Sequence, residues 1–239
     1  MVVEELQRFL GFLIPGLTIG CVYALIALGF VLVYKCSGVF NLAIGPLVIF
    51  GSYLFFAFAV QFGFPVWFAL ILTFVVAVIM GIIIDRAVMR PLIGQSVLAL
   101  FIVTLVVGTF LEGTMQLGWG QDQLILPRLF PTGAVHFAGT SIAYDHFAFL
   151  IIPFVLLFIF AMFFRYSKTG LRMMATSEDQ QVAQSYGINI KGIMAVAWVI
   201  TCLVSVMGGI LLTNISRSHY SMTGMGLKAI AVVILGGLE

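Results

Sequence analysis

The chain has 239 residues, 62% of them hydrophobic and 8% charged, with a formal net charge of +2; its mean hydropathy is +1.20. Soluble domains carry about a quarter charged residues, so this composition excludes a water-soluble enzyme domain, a disordered chain and a nucleic-acid binder. At about 20 apolar residues per crossing, the length supplies about six to eight spans, which predicts an all-α, polytopic helical membrane protein.

The N-terminus carries Glu4 and Glu5 where a secretory signal is basic, and the apolar run behind it is too long for a cleaved segment. A retained first span is therefore expected from Phe9 to Tyr34, ended by Lys35. Gly16 and Gly20 within it are four residues apart, a spacing that allows close helix contact. From Cys36 to Ile84 no residue is charged, a stretch too long for one helix, and Gln61-Phe62-Gly63-Phe64-Pro65 is its one turn-like break. Two spans, near 39–60 and 66–84, follow from that. Asp85, Arg86, Arg90 and Pro91 predict a short polar loop, and a fourth span runs from about Val97 to Leu117, with Glu112 near its end.

Residues 119–145 interrupt every apolar run with Gly, Pro and polar residues and predict a long loop that dips towards the interface. Phe147 to Phe164 is the fifth span, Arg165 to Lys191 the largest polar block, and Gly192 to Ser216 the sixth span. Ala229 to Leu238 begins a seventh run that is too short to cross, which predicts a missing C-terminal part. Cytoplasmic segments carry an excess of Lys and Arg. Placing 35–38, 85–95 and 165–191 inside gives them Lys35, Arg86, Arg90, Arg165, Lys168, Arg172 and Lys191, seven of the eleven basic residues, and predicts an outside N-terminus. No repeat or linker divides residues 1–239, which read as one membrane domain.

Few residues suit chemistry. Cys21, Cys36 and Cys202 are widely spaced and sit in or beside apolar runs, so they read as packing residues and not as a metal site. Glu112 is the one charge inside the assigned spans; near a helix end, it reads as facing headgroups. Ser52 has no histidine at its depth, because His136, His146 and His219 fall outside or at an interface, so a serine-type hydrolase lacks its base. Asn41, Gly45 and Pro46 open the second span with two readings. One is a helix break beside a translocation path; the other is an ordinary helix start with Asn41 as N-cap and Pro46 in the early turns. Thr18, Asn41, Thr104 and Asn214 are candidate path-lining groups by depth and polarity, with helix–helix hydrogen bonding as the simpler role.

The polar block is the most informative stretch. Ser177 is placed to N-cap a short helix over 177–186, with Glu178 and Asp179 in its first turn, where the helix dipole favours anions. Gly187 suits the residue that ends it, before Asn189. Val182 and Tyr186 are four apart and share a face, with Ala183 beside them. The acidity of this helix disfavours a membrane-surface role, and docking into a partner's groove is the expected use.

This block resembles the cytoplasmic loop of importer permeases of the branched-chain amino acid type, whose degenerate Glu-Ala-Ala and following Gly fall on Gln181, Val182, Ala183 and Gly187. The resemblance extends to Gly16-Leu17-Thr18-Ile19-Gly20, Tyr23 to Gly29, Asn41 with Gly45 and Gly51, Arg90-Pro91-Leu92, Gly226 to Ala229 and Leu235-Gly236-Gly237. Where many members have a His and a Glu flanking the glycine after the Asn, this chain has Ile44 and Pro46, a more apolar surrounding. The resemblance implies a non-catalytic permease subunit that moves a small-molecule solute across the lipid bilayer. It implies a second homologous permease, two ATPase subunits holding ATP and Mg, and a periplasmic solute-binding protein, with no cofactor on this chain and no nucleic acid. Branched-chain amino acids are the implied solute. Urea or short amides within the same family, or an ATP-independent channel or carrier, are the alternatives.

Overall fold

The computed structural model describes residues 2–92, 95–120, 125–127, 129, 134–137, 140–216 and 225–236. Among them the chain is a helical bundle. Helix α1 covers Val2–Ser37, α2 Ile44–Phe56, α3 Val66–Ile83, α4 Val97–Trp119, α5 Tyr144–Tyr166, α6 Lys168–Glu178, α7 Gln180–Ser185, α8 Ile190–Ser216 and α9 Met225–Gly236. Six helical stretches are long and apolar enough to cross a bilayer: Gly11–Ser37, Ile44–Gln61, Val66–Leu92, Val97–Trp119, Phe147–Tyr166 and Ile190–Ile215. They follow the six full spans expected from the sequence. The all-α, polytopic reading holds, with one addition: the long segment before α5 contains an antiparallel pair, β1 Ala134–Phe137 and β2 Thr140–Ala143, with Ala134 opposite Ala143.

Two spans end in altered helical turns. Helix α2 continues as a π-helical turn over Ala57–Gln61, with the Phe62 N–H donating to the Ala57 carbonyl, and α3 opens after Pro65. Helix α3 continues through a π-helical stretch, Ile84–Met89, and a short 3-10 turn, Arg90–Leu92. This corrects the expected polar loop at 85–95. Asp85 is fully buried inside a continuous helical rod, because the apolar helix carries it against α8 before the chain can turn.

Helix α8 is the axis of the bundle and packs on α1, α2 and α3. On α2, a Cβ added at Gly51 would sit 2.6 Å from Val206 Cα, and one added at Gly209 would collide with the Val48 carbonyl. Gly81 of α3 meets Val199 in the same way, at 2.6 Å. Association in a bilayer rests on van der Waals packing and interhelical hydrogen bonds, because lipid tails are as apolar as leucine. Backbones that touch through glycine collect the most of that packing. Two hydroxyls add to it: Thr201 Oγ1 donates to the Gly29 carbonyl at 2.9 Å, and Thr213 Oγ1 to Ser52 Oγ at 2.8 Å. Among the described residues the close approach expected at Gly16 and Gly20 does not occur, for neither has a neighbour within 4 Å of its Cβ position.

Contact pairs fix the helix directions. Val48 and Ser52 meet Gly209, and Ser52 bonds Thr213, so α2 and α8 run parallel. Gly29 meets Thr201 and Ile26 meets Gly208, so α1 runs against them. The end of α1 at Lys35 therefore lies at the end of the bundle where α8 begins, and α6 packs there too, with Met173 buried among Leu32, Cys36, Ile193 and Ala197.

Gly209→Leu is expected to destabilise the detergent-solubilised protein by about 3 kcal/mol, the upper part of the overpacking range, while Gly16→Leu leaves it unchanged. Thermal unfolding followed by size-exclusion chromatography distinguishes the two, and equal behaviour of the variants contradicts the packing argument.

Candidate functional site

The polar block folds as two short helices and not as one. Helix α6 starts at an N-cap, Ser167, whose Oγ accepts from the Gly170 N–H at 2.8 Å. It is clamped against α5, because a Cβ at Gly170 would lie 2.7 Å from Phe164 Cα. Ser177 and Glu178 are its last two residues. Ser177 therefore caps nothing: its Oγ donates to the Met174 carbonyl at 2.7 Å. The cap expected of Ser177 falls to Asp179, whose Oδ1 accepts from the Val182 N–H at 3.0 Å at the start of α7. Asp179 has an extended backbone, φ −154°, and such a residue ends one helix and opens the next. So Glu178 and Asp179 do not lie in the first turn of a helix over 177–186.

Helix α7 contains Gln181, Val182 and Ala183. Ala183 is buried, while Val182 and Tyr186 are exposed, 51% and 83%. Two apolar side chains, one on α7 and one directly after its last residue, face away from their own protein and form a surface with nothing of this chain to cover it among the described residues. Gly187 closes the helix with φ +77°. Its N–H donates to the Gln184 carbonyl at 2.9 Å, and that of Ile188 to the Ala183 carbonyl at 3.1 Å, the paired bonds of a Schellman closure. Asn189 then caps α8, with Oδ1 accepting from the Gly192 N–H at 3.2 Å.

Four of the candidate path residues form one group. Asn41, Gly45, Pro46 and Thr104 gather where α4 meets the start of α2. Thr104 Oγ1 accepts from the Leu42 N–H at 3.2 Å and donates to the Phe101 carbonyl at 2.8 Å. One turn further along α4, a Cβ at Gly108 would lie 3.2 Å from Pro46 Cγ. Pro46 sits in the first turn of α2, where its missing N–H leaves no broken bond, so the helix begins here and is not interrupted. Asn41 is not the N-cap; Ala43 is, without a side-chain cap bond. Asn41 Oδ1 instead accepts from the Ala43 N–H at 3.0 Å, and its Nδ2 is buried without a hydrogen-bond partner among the described residues. Thr18 on α1 donates to the Ile14 carbonyl at 2.8 Å and Asn214 on α8 to the Ile210 carbonyl at 3.0 Å, each within its own helix.

Two features escaped sequence reasoning. Ser52 is engaged by Thr213, so its hydroxyl holds helices together. Asp85 Oδ2 accepts from Arg90 Nε at 2.7 Å, with Arg90 one-third exposed and Asp85 fully buried. An α-helix aligns residues three or four apart; the π-turn bonds the Arg90 N–H to the Asp85 carbonyl and so aligns residues five apart. Reading the Asp-to-Arg spacing for that turn would have found the pair. A cavity of about 420 Å³ opens between α1, α6 and α9, lined by Leu28, Val31, Lys35, Phe164, Met173 and Val232. None of the candidate path residues lines it.

The chain matches one family along almost its whole length. The family model described as "Branched-chain amino acid transport system / permease component" matches residues 12–239. The chain belongs to that permease family. It is 29% identical to the high-affinity branched-chain amino acid transport system permease protein LivH of Salmonella typhimurium, across 98% of this chain and 81% of the relative. It is 28% identical to the permease protein BraD of Pseudomonas aeruginosa over the same shares. A probable branched-chain amino acid transport permease protein LivH of Methanocaldococcus jannaschii is 30% identical across 89% of this chain and 73% of the relative. No solved structure matches. The chain is thus a multi-pass membrane permease component of a transporter.

In this permease the Asp85–Arg90 pair lies within the helical rod that continues α3 and gives its buried carboxylate a cationic partner. Arg90→Leu, which strands the buried carboxylate, is expected to cost about 3 kcal/mol, the low end for a broken buried pair. Adding Asp85→Leu recovers a large part of it. A double-mutant cycle on thermal midpoints measures the coupling, and additive losses contradict a working pair.

Proposed function

We propose that this chain is the permease subunit of an ATP-driven importer for branched-chain amino acids, acting over residues 1–239 as one membrane domain. It works beside a second homologous permease, two cytoplasmic ATPase subunits that bind ATP and Mg, and a periplasmic solute-binding protein. Its N-terminus is outside, and α6 and α7 are in the cytoplasm. What supports the orientation is the gathering of Lys35, α6 and the start of α8 at one end of the bundle, the end that the basic residues mark as cytoplasmic.

The observation that carries the reading is α7. Val182 and Tyr186 are exposed on a short helix whose two ends are set by Asp179 and by the Gly187 closure. An apolar helix face of this kind fits a hydrophobic groove on another protein. Each end is tied to a span: α6 is clamped to α5 at Gly170 and α8 starts three residues after Gly187. A displacement of α7 by an ATPase is therefore transmitted to α5 and α8, and α8 carries α1, α2 and α3 with it. Alternating access then follows when the ATPase pair favours one arrangement of spans with ATP and the other without it, because only a differential contact shifts an equilibrium. The permease breaks no covalent bond. The relatives' names support the solute, and Asn41, Gly45, Pro46, Thr104, Thr18 and Asn214 are the proposed contributions to its path.

Gly187→Pro cannot adopt a positive φ and Ala183→Arg puts a charge at a buried position. Both are expected to reduce leucine uptake to background, and to lose co-purification of ATPase-sized chains from native membranes, with membrane insertion retained. Unimpaired uptake in either variant removes the coupling role of α7.

A further inference from the structure

Helix α4 carries a charge well inside the membrane that nothing else in the described chain neutralises. Trp119 closes α4 and packs against Tyr53 with the rings tilted at 56° and their centroids 5.5 Å apart. Its indole N–H donates to Gln61 Oε1 at 3.1 Å, in the way tryptophans mark the membrane–water boundary. The helical rise then puts Glu112 about 10 Å inside that boundary, deeper than the headgroup position expected from the sequence. Glu112 is half-buried and has neither an ion pair nor a hydrogen bond among the described residues.

The surroundings of Glu112 are ordered around the helix. Thr104, Gly108, Leu111 and Met115 form the buried face that packs on the bundle. Val106, Phe110 and Leu117 are exposed and apolar, suited to lipid. Thr109, Glu112 and Gln116, at the i, i+3, i+7 spacing of one helix face, lie on the flank between those two surfaces. Gly113 adjoins them, with nothing within 4 Å of its Cβ position. A glycine inside a helix weakens it, and among the described residues no neighbour requires one there. An ionised carboxylate inside a bilayer faces a water-filled cavity or a partner, not lipid. The glycine leaves room beside it for that approach.

We infer that the Thr109–Glu112–Gln116 flank of α4 faces the water-filled solute path on the side of the second permease, and that Glu112 receives the solute's ammonium group. This inference rests on the importer reading and adds a substrate class to it: the carboxylate complements a cationic amino group and offers no charge complement to an uncharged amide. Glu112 is then a specificity-determining residue that sits away from the Asn41–Thr104 group. The water-filled path is preferred to a dry ion pair with the second permease because the flank is polar over two turns and Gly113 keeps it open.

The test uses the complete importer in native membrane vesicles, with uptake and thiol labelling measured together. In Glu112→Cys the introduced thiol is expected to react with a membrane-impermeant trimethylammonium methanethiosulfonate, above the background of the unsubstituted chain, and leucine is expected to slow the reaction. Glu112→Gln is expected to raise the KM for leucine at least about tenfold with kcat little changed, and Glu112→Asp to recover much of that loss. Absence of labelling puts Glu112 in lipid or in a dry interface and overturns the inference. An unchanged KM in Glu112→Gln, with normal leucine uptake by the unsubstituted importer, overturns the ammonium site alone. Uptake of urea and none of leucine by the unsubstituted importer overturns the solute reading, and the ammonium site with it.

Discussion

The contact on which the rest of the bundle depends is the backbone-to-backbone approach of α8 to α2 and α3. At Gly51, Gly81 and Gly209 a single methyl group would meet main chain or a Cβ-branched neighbour within about a bond length of overlap. In a bilayer no hydrophobic force draws apolar helices together, so such approach sets which helices are neighbours. Helix α8 consequently becomes the common wall of α1, α2 and α3, and two-thirds of its span is buried. Helices α4 and α5 are much more open, with 17% and 11% of their spans buried, and these carry the surfaces left for lipid, a second permease or a solute path.

A central helix has a mechanical consequence at its end. Because α8 begins at the Asn189 cap directly after the Gly187 closure, and α6 is locked to α5, the small helix α7 is held at both sides by elements that reach into the bundle. The exposed pair Val182 and Tyr186 sits on that rigid mount. A flexible loop would absorb a push; two caps and a left-handed glycine convert it into movement of the spans. The same economy appears at the end of α3, where a π-turn brings Asp85 over Arg90 and keeps a charge inside the helical rod without leaving it alone.

How much of this was legible in the sequence differs between levels. The spans were readable because each crossing must bury all its backbone bonds in one apolar helix, and uncharged runs of that length are unmistakable. The closure at Gly187 was readable because a left-handed residue is cheap only for glycine. The cap was misassigned from Ser177 to Asp179 by two residues, since both are good N-cap types and the choice depends on where α6 stops against α5. The loop expected at 85–95 failed for a related reason. Four polar residues look like a turn, and only packing on α8 shows that the helix continues and swallows Asp85.

Length, composition and local chemistry by themselves determined a helical membrane protein, the position of each span, the end at which basic residues collect and the helix-ending glycine, because these depend on the chain's own backbone and on transfer into lipid. Tertiary structure alone decided which glycines are contacts, which hydroxyls bridge helices, where Asp85 finds Arg90 and that Glu112 lies on an open flank of α4. Those are relations between helices far apart in the chain, and a bilayer leaves their pairing to shape rather than to hydrophobicity, so no periodicity within one segment encodes them.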